Sequence, residues 1–199
     1  MKKTIFAALA AGSCLLGSIG AQATVFNVTW SGDLNGNSGF ATGLFNIDTN
    51  VVPDLNGTQN IHNLPDPAFQ IISLTVTGTG AGDGTFTEAD FQSYYFAAFS
   101  PLDYTQELIG QSMANGCTYG SFGSCYGGPS GDFNLFANNP AAPTGSYYFQ
   151  LTTNGDTLDV TSILPAAVPE PATWAMMLGG MGMIGFAVRR RQTVRVTYA

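Results

Sequence analysis

The chain has 199 residues, a formal net charge of −7 and charged side chains at only 10 % of its positions. All six cations lie near the ends (Lys2, Lys3, Arg189–Arg191 and Arg195), and every carboxylate except that of Glu170 lies between Thr24 and Val168, so this central part carries a formal charge of −12. Because cations must replace the counterions of phosphates, the distribution excludes nucleic acid, anionic lipid surfaces and phosphorylated substrates as partners.

Residues 1–23 have the pattern of a secretory signal peptide. Two lysines precede an apolar run over 5–19, and the segment closes with Ala21-Gln22-Ala23. Small residues at Ala21 and Ala23 form an A-x-A site for signal peptidase. We therefore predict an N-terminal signal-peptide helix that is cut off, a mature chain that begins at Thr24, and removal of Cys14 with the peptide.

Residues 24–164 show repeated strand patterns and few helix formers. Val25–Trp30, for example, alternates polar and apolar side chains, and Asn154-Gly155 between two alternating runs predicts a hairpin. Short helices are predicted only around 88–94 or 101–109. Seven to nine short strands favour an all-β fold, an antiparallel β-sandwich of the jelly-roll or Ig-like type. The predicted strands cover 25–30, 44–47, 71–76, 94–99, 134–137, 147–151 and 158–163.

Two cysteines remain after removal of the signal peptide, Cys117 and Cys125, eight positions apart. In an exported chain such a pair predicts one disulfide that closes a small Gly-rich loop. A two-cysteine metal site is the alternative, but His62 is too distant in sequence to strengthen it.

Two polar loops are candidate calcium sites. Asp33, Asn35 and Asn37 begin like an EF-hand loop, but Ser38 and Leu44 stand where that loop requires Gly and Glu. The Gly80–Gly84 loop runs into further carboxylates and reads better as a tight hairpin. We predict no metal ligand and no cofactor, and keep calcium as an alternative because no lysine or arginine neutralises these acids.

The sequence offers few residues for catalysis, so we predict that the protein is not an enzyme. The sole histidine, His62, is expected in a surface loop, and both mature cysteines are expected to be bonded. A carboxylate-dependent glycoside hydrolase remains an alternative. Its candidate acids are Glu88, Asp90, Asp103 and Glu107.

The aromatic runs Tyr94-Tyr95-Phe96 and Tyr147-Tyr148-Phe149 place rings on both faces of their predicted strands. One face is expected in the core. The other is a candidate sugar-stacking platform, or an ordinary half-exposed strand surface, and the second interpretation is favoured.

The C-terminal part combines a rigid element, an apolar run and a basic end. A linker over 165–168 leads to Pro169-Glu170-Pro171 and Trp174. The uncharged run 172–188 would span roughly 25 Å as a helix, and Arg189, Arg190 and Arg191 follow it. We predict a single transmembrane helix over about 171–188 within a unit covering 169–199, with the body facing away from the cytoplasm.

These C-terminal residues resemble the PEP-CTERM sorting signal, in the variant with Trp-Ala after the prolines; the same tail is sometimes labelled an ice-binding protein C-terminal domain, which is no sign of ice binding here. The resemblance implies recognition near Pro169-Glu170-Pro171 by an exosortase in a Gram-negative envelope. It covers about 168–199. The body is loosely similar to the β-rich domains that accompany this tail, through 45–49 and 131–136.

Together these features predict an exported protein, held transiently in the inner membrane and then placed at the cell surface or in the extracellular matrix. Signal peptidase and an exosortase are its expected processing enzymes. We predict that it has a non-enzymatic structural or interaction role linked to exopolysaccharide or biofilm. A calcium- or glycan-binding β-sandwich module is the alternative.

Overall fold

A computed structural model describes residues 24–121 and 130–166, with Met177, Leu178 and residues 180–182 of the tail. The body is built from antiparallel strands joined by turns and three 3₁₀ turns. The strands are β1 (Thr24–Ser31), β2 (Phe40–Ile47), β3 (His62–Asn63), β4 (Phe69–Thr77), β5 (Gly84–Phe86), β6 (Phe91–Ala98), β7 (Gly131–Ala137), β8 (Thr144–Tyr147), β9 (Gln150–Thr153) and β10 (Asp156–Pro165).

Seven strands form one curled sheet in the order β5-β4-β2-β1-β10-β9-β8. Its central strand β1 has the predicted alternation, since Phe26, Val28 and Trp30 are buried while Asn27 faces outward. The side chains of a strand point alternately to its two faces, so one face of this sheet is apolar and requires a cover.

The cover is a second sheet, in the order β3-β6-β7. Phe133 of β7 lies against three aromatic rings of the large sheet, with ring centroids 6.1 Å from Trp30, 5.7 Å from Phe45 and 6.1 Å from Phe69. The two sheets thus share one aromatic core, and the prediction of an all-β, antiparallel fold is confirmed.

This core is self-contained. The buried hydrophobic side chains of the described residues all lie between Phe26 and Ile163. A unit with its own apolar core has what it needs to fold alone, so 24–166 is a sound fragment for measurement.

Three sequence predictions for the body have clear outcomes. Asn154-Gly155 does join β9 to β10, with φ of 48° and 91° that suit a tight hairpin. The strand predicted over 147–151 is interrupted, because Tyr148 and Phe149 form a turn between β8, which ends at Tyr147, and β9, which begins at Gln150. The predicted helix over 88–94 is only a 3₁₀ turn at Glu88–Asp90, and 101–109 contains no helix.

The two ends of the chain were predicted to carry membrane-directed helices. The signal peptide 1–23 lies outside the described residues. In the predicted span 171–188, only Met177, Leu178 and residues 180–182 are described, and they are helical. Within the described parts of the chain, no helix is long and apolar enough to cross a membrane.

We expect Gly131→Ala to lower the free energy of unfolding of 24–166 by about 3 kcal/mol or more. Gly131 has φ of 156°, and a Cβ atom there would lie 2.1 Å from the backbone oxygen of Ala97. Urea denaturation measures the change. Gly155→Ala is the matched control, because Gly155 also has positive φ but its Cβ would meet nothing within 4 Å. Equal losses in the two variants would refute the steric explanation.

Candidate functional site

The turn 33–37, which begins like an EF-hand loop, connects the β1–β2 loop to β10 through side-chain hydrogen bonds. The side-chain amide nitrogen of Asn35 donates to the Thr157 carbonyl (3.1 Å) and to Asp159 (2.5 Å), and the side-chain amide nitrogen of Asn37 donates to the same carbonyl (3.0 Å). These contacts support the interpretation of 33–37 as a polar turn.

The four acids considered for hydrolysis each accept a hydrogen bond from a backbone N–H. A hydrogen bond from the Thr87 N–H lowers the pKa of Asp90, and one from the Thr105 hydroxyl lowers that of Asp103. Such contacts hold turns and strand ends in place. The backbone donors are Ile71 to Glu88 (3.2 Å), Thr87 to Asp90 (2.8 Å), Thr105 to Asp103 (3.0 Å) and Ile163 to Glu107 (2.6 Å).

His62 is not in a surface loop as predicted, because it forms the short strand β3 beside β6. Its Nε2 atom lies 2.9 Å from Asp54, its Nδ1 atom 3.9 Å from Asp66, and its ring stacks on Tyr94 with centroids 5.0 Å apart. The Tyr94 hydroxyl donates to Asp66 at 2.8 Å, and burial together with that carboxylate raises the pKa of Tyr94. The cluster ties the 54–66 segment to the small sheet. Among the described side chains, no group of three or more His, Cys, Asp or Glu is arranged to hold a metal ion.

Cys117 is buried and disulfide-bonded. Its predicted partner Cys125 lies outside the described residues, so the pairing stays a prediction.

Among the described residues, a cleft beside β6, β7 and β8 joins aromatic rings to buried polar residues, and we call it the tyrosine cleft. Its volume is about 180 Å³, and Gln59, Gly145 and Ser146 contribute to its walls. The residues that define its chemistry are Tyr95, Asp132, Asn134, Phe136, Tyr147 and Tyr148.

The period of two in β6 and β7 explains how the cleft forms. Tyr94 and Phe96 of β6 are buried in the core, so Tyr95 between them faces the opposite side. In β7, Asp132 and Asn134 alternate in the same way with the core residue Phe133. The β8 strand and the turn that follows it lie over this outer side, which is why Asp132 and Asn134 are only 3 % and 4 % exposed.

The turn after β8 holds a strained residue above the polar pair. Phe149 has φ of 58°, a left-handed conformation that is rare for an aromatic residue. Its buried ring packs edge-on against Tyr119 at 5.1 Å, which compensates for the strain. This conformation lets the Phe149 N–H bond to the Asp132 carboxyl, while the Tyr147 carbonyl accepts from the Asn134 side chain at 2.5 Å.

Asn134 is oriented by two acceptors. Its amide nitrogen donates to the Tyr147 carbonyl and, at 2.9 Å, to Oδ1 of Asp132. Both amide hydrogens are therefore used, and the amide orientation follows from this network. The Oδ1 atom of Asn134 is buried and has no hydrogen-bond partner among the described residues. An orphaned acceptor of this kind costs about 1 to 3 kcal/mol.

Asp132 is the acid most affected by its surroundings. Burial raises its pKa to about 7, although hydrogen bonds from the N–H groups of Phe149 and Phe133 oppose the rise. Burial, assisted by the nearby Asp132 charge, also raises the pKa of the Tyr119 hydroxyl. The floor of the cleft therefore carries a carboxyl group that changes charge near neutral pH.

The rings of the cleft occur in two edge-to-face pairs. Tyr95 and Phe136 have centroids 5.1 Å apart, and Tyr147 and Tyr148 have centroids 4.9 Å apart. A sugar-stacking platform was the less favoured interpretation of the two aromatic runs in the sequence. The fold brings Tyr95, Tyr147 and Tyr148 of these runs to one cleft, and the platform stays a prediction. The sequence patterns did not identify Asp132 and Asn134 as residues of this cleft. Asp and Asn are rare inside strands, so their presence in β7 was the available signal of an unusual environment.

The predicted sorting residues Pro169, Glu170, Pro171, Trp174 and Arg189–Arg191 lie outside the described residues, as does the signal-cleavage site Ala21 and Ala23. Residues 167–191 match the family model of the PEP-CTERM protein-sorting motif, which confirms the resemblance noted above. Neither the curated proteins nor the solved structures contain a match. The motif indicates an exported chain that is processed by an exosortase.

We expect Asp132→Asn to remove a pH-dependent loss of stability. The unfolded carboxyl titrates near pH 4 and the folded one near pH 7. Between these values unfolding releases a proton, so the wild-type contribution is fully present below pH 4 and falls by up to about 1.4 kcal/mol per pH unit until pH 7. The advantage of the variant over wild type should therefore grow from pH 4 to pH 7 and then level off.

Urea denaturation of 24–166 at several pH values measures this difference. Asp48→Asn is the control. A hydrogen bond from the Asn50 side chain lowers the pKa of Asp48, so its variant should differ from wild type by a constant amount between pH 5 and pH 8. An Asp132→Asn difference that is equally flat would contradict the assignment.

Proposed function

We propose that this chain, which carries a PEP-CTERM sorting motif, is a cell-surface or extracellular-matrix protein whose β-sandwich body has a non-enzymatic structural or interaction role linked to exopolysaccharide or biofilm. The match over 167–191 carries the proposal. In this view the signal peptide directs export, the 171–188 segment holds the chain briefly in the inner membrane, and the exosortase frees the body.

The fold supports cleavage near Pro169. The last strand, β10, ends at Pro165, one residue into the predicted linker, and the Ala166 N–H donates to the Val25 carbonyl at 2.7 Å. Pro169 follows three residues later. A cut there would leave every strand and the whole described core in the released part.

Charge supports a role away from the membrane after release. Cleavage at the two predicted boundaries removes all six cations and leaves the body with its formal charge of −12. Such a body is repelled by anionic lipid headgroups. Net charge of this size also keeps a protein soluble, which suits a component that disperses in a hydrated matrix.

A non-enzymatic role fits the use made of the acids. Those considered for hydrolysis each accept a hydrogen bond from a backbone N–H group, and Glu107 also accepts one from the Ser162 hydroxyl. Acids with these partners act as structural caps.

The surface species should be shorter than the encoded chain at both ends. We expect intact-mass analysis of protein from the cell surface or medium to show a start at Thr24 and loss of Arg189–Ala199. Cells that lack the exosortase should retain those residues. Glu170→Ala should behave like the loss of the exosortase, whereas Gln192→Ala, a control in the same tail, should be processed normally. Surface protein that keeps Arg189–Ala199 in wild-type cells would refute the proposal.

A further inference from the structure

We propose that the outer face of the large sheet docks on the exosortase while the tail is being cut. The surface concerned lies where β10 leaves the body, and its apolar members are Leu44, Ile72 and Leu164. We call these three side chains the exit patch. The inference rests on the proposed function and deepens it, because it names a second contact between the chain and its processing enzyme.

Strand pairing brings the exit patch together. Leu164 of β10 pairs with Asn27 of β1, and Asn27 pairs with Leu44 of β2. Leu44 in turn pairs with Ser73 of β4, and Ile72 lies at the bulge beside that pair. Residues directly opposite each other on neighbouring antiparallel strands share one face of the sheet. Asn27 is exposed, so this row lies on the outer face.

The exit patch is apolar and uncharged in a strongly acidic body. Ile72, Leu164 and Leu44 are 49 %, 45 % and 38 % exposed. The neighbours that face outward on β1, β2 and β4 are uncharged as well, namely Asn27, Thr42, Asn46 and Gln70. Protein–protein interfaces are depleted of charged residues at their centre. A partner can therefore cover the exit patch without desolvating a carboxylate.

The polar groups around the exit patch already have partners. The Thr42 hydroxyl donates to Oδ1 of Asn27 at 3.1 Å, and Nδ2 of Asn46 donates to Oε1 of Gln70 at 3.1 Å. Glu107, which lies beside β10, accepts from the Ser162 hydroxyl and the Ile163 N–H. Because burial of a polar group is costly only where it loses hydrogen bonds, these contacts lower the cost of covering this face.

The tail identifies the partner. The Ala166 N–H donates to the Val25 carbonyl, so the chain is held on the sheet up to this residue. Pro169 follows three residues later, and three residues reach at most about 11 Å. An enzyme that encloses Pro169 therefore meets the folded body beside Leu164. A short connection also gives the second contact an effective concentration on the order of millimolar, so a small apolar patch is sufficient.

Two other occupants fit this face less well. Anionic lipid headgroups would repel a body with a formal charge of −12. A second copy carries the same charge, so two bodies repel each other as well. The tail brings the processing enzyme, by contrast, to a set distance from the exit patch.

The test is the rate at which full-length chain loses Arg189–Ala199 in cells, followed by pulse labelling and immunoprecipitation. We expect Leu44→Asp to slow this step at least about fivefold, because a charge is placed in the contact. Leu34→Asp is the matched control and should be processed like wild type. Leu34 is 85 % exposed, but it lies in the 3₁₀ turn after β1, at the end of that strand far from the tail. Circular dichroism and urea denaturation of 24–166 check that Leu44→Asp is folded.

Photocrosslinking provides a second measurement that does not depend on the fold of Leu44→Asp. With p-benzoylphenylalanine in place of Ile72, we expect the uncut chain to crosslink to the exosortase in cells, and the same group at Leu34 to give no such product. The proposal is overturned if folded Leu44→Asp is cut at the wild-type rate, or if the group at Ile72 crosslinks to lipid, to a second copy or to nothing. Those results leave the proposed function intact, provided that the wild-type chain is cut. A wild-type chain that keeps Arg189–Ala199 would overturn both proposals.

Discussion

The structure of the body depends on the absence of lysine and arginine. Twelve carboxylates share this part of the chain without a permanent cation, and the ion pairs among its described residues involve only His62. Each acid must therefore be solvated or bonded to N–H and O–H donors. The turns supply these donors, as the Thr87 N–H does for Asp90 and the Thr79 N–H for Asp83. These hydrogen bonds hold the loops in place. The aromatic core stabilises the fold without help from Lys or Arg salt bridges.

Asp132 departs from this pattern, because it is buried and its pKa is raised where those of Asp83 and Asp90 are lowered. Its position follows from Phe133, the next residue of β7, which is fixed in the core between the two sheets. An acid whose neighbour is so firmly placed must face outward, and the strained turn at Phe149 covers it there. The same packing that joins the two sheets thus creates the desolvated polar pair.

Much of the fold could be predicted from the sequence, because short-range patterns determine it. Alternation located β1, β4 and β10, and Asn154-Gly155 located a hairpin. The turn at Tyr148-Phe149 could not be predicted, since its residues have strong strand preference. The positive φ of Phe149 is accompanied by tertiary contacts with Tyr119 and Asp132. The strand position of His62 could not be predicted for a similar reason, because its pairing with β6 and its contacts with Asp54 and Asp66 are tertiary. The cleft combines β6, β7 and β8, which are separated by loops, so sequence spacing alone could not assemble it.

Two buried side-chain polar atoms in the described body lack hydrogen-bond partners, Nε1 of Trp30 and Oδ1 of Asn134. They lie in different surroundings. The Trp30 ring packs against Phe45 and Phe133 in the core, and this packing offsets the cost of its unpaired N–H. Asn134 instead connects β7 to the turn after β8 through its hydrogen bonds to Asp132 and Tyr147, and its oxygen stays unpaired. Asp132 and Phe149 add desolvation and backbone strain at the same point. Three unfavourable terms, an unpaired oxygen, a desolvated carboxyl group and a strained backbone, therefore lie together where β8 covers β7, and the packing of Phe133 and Phe149 must offset them.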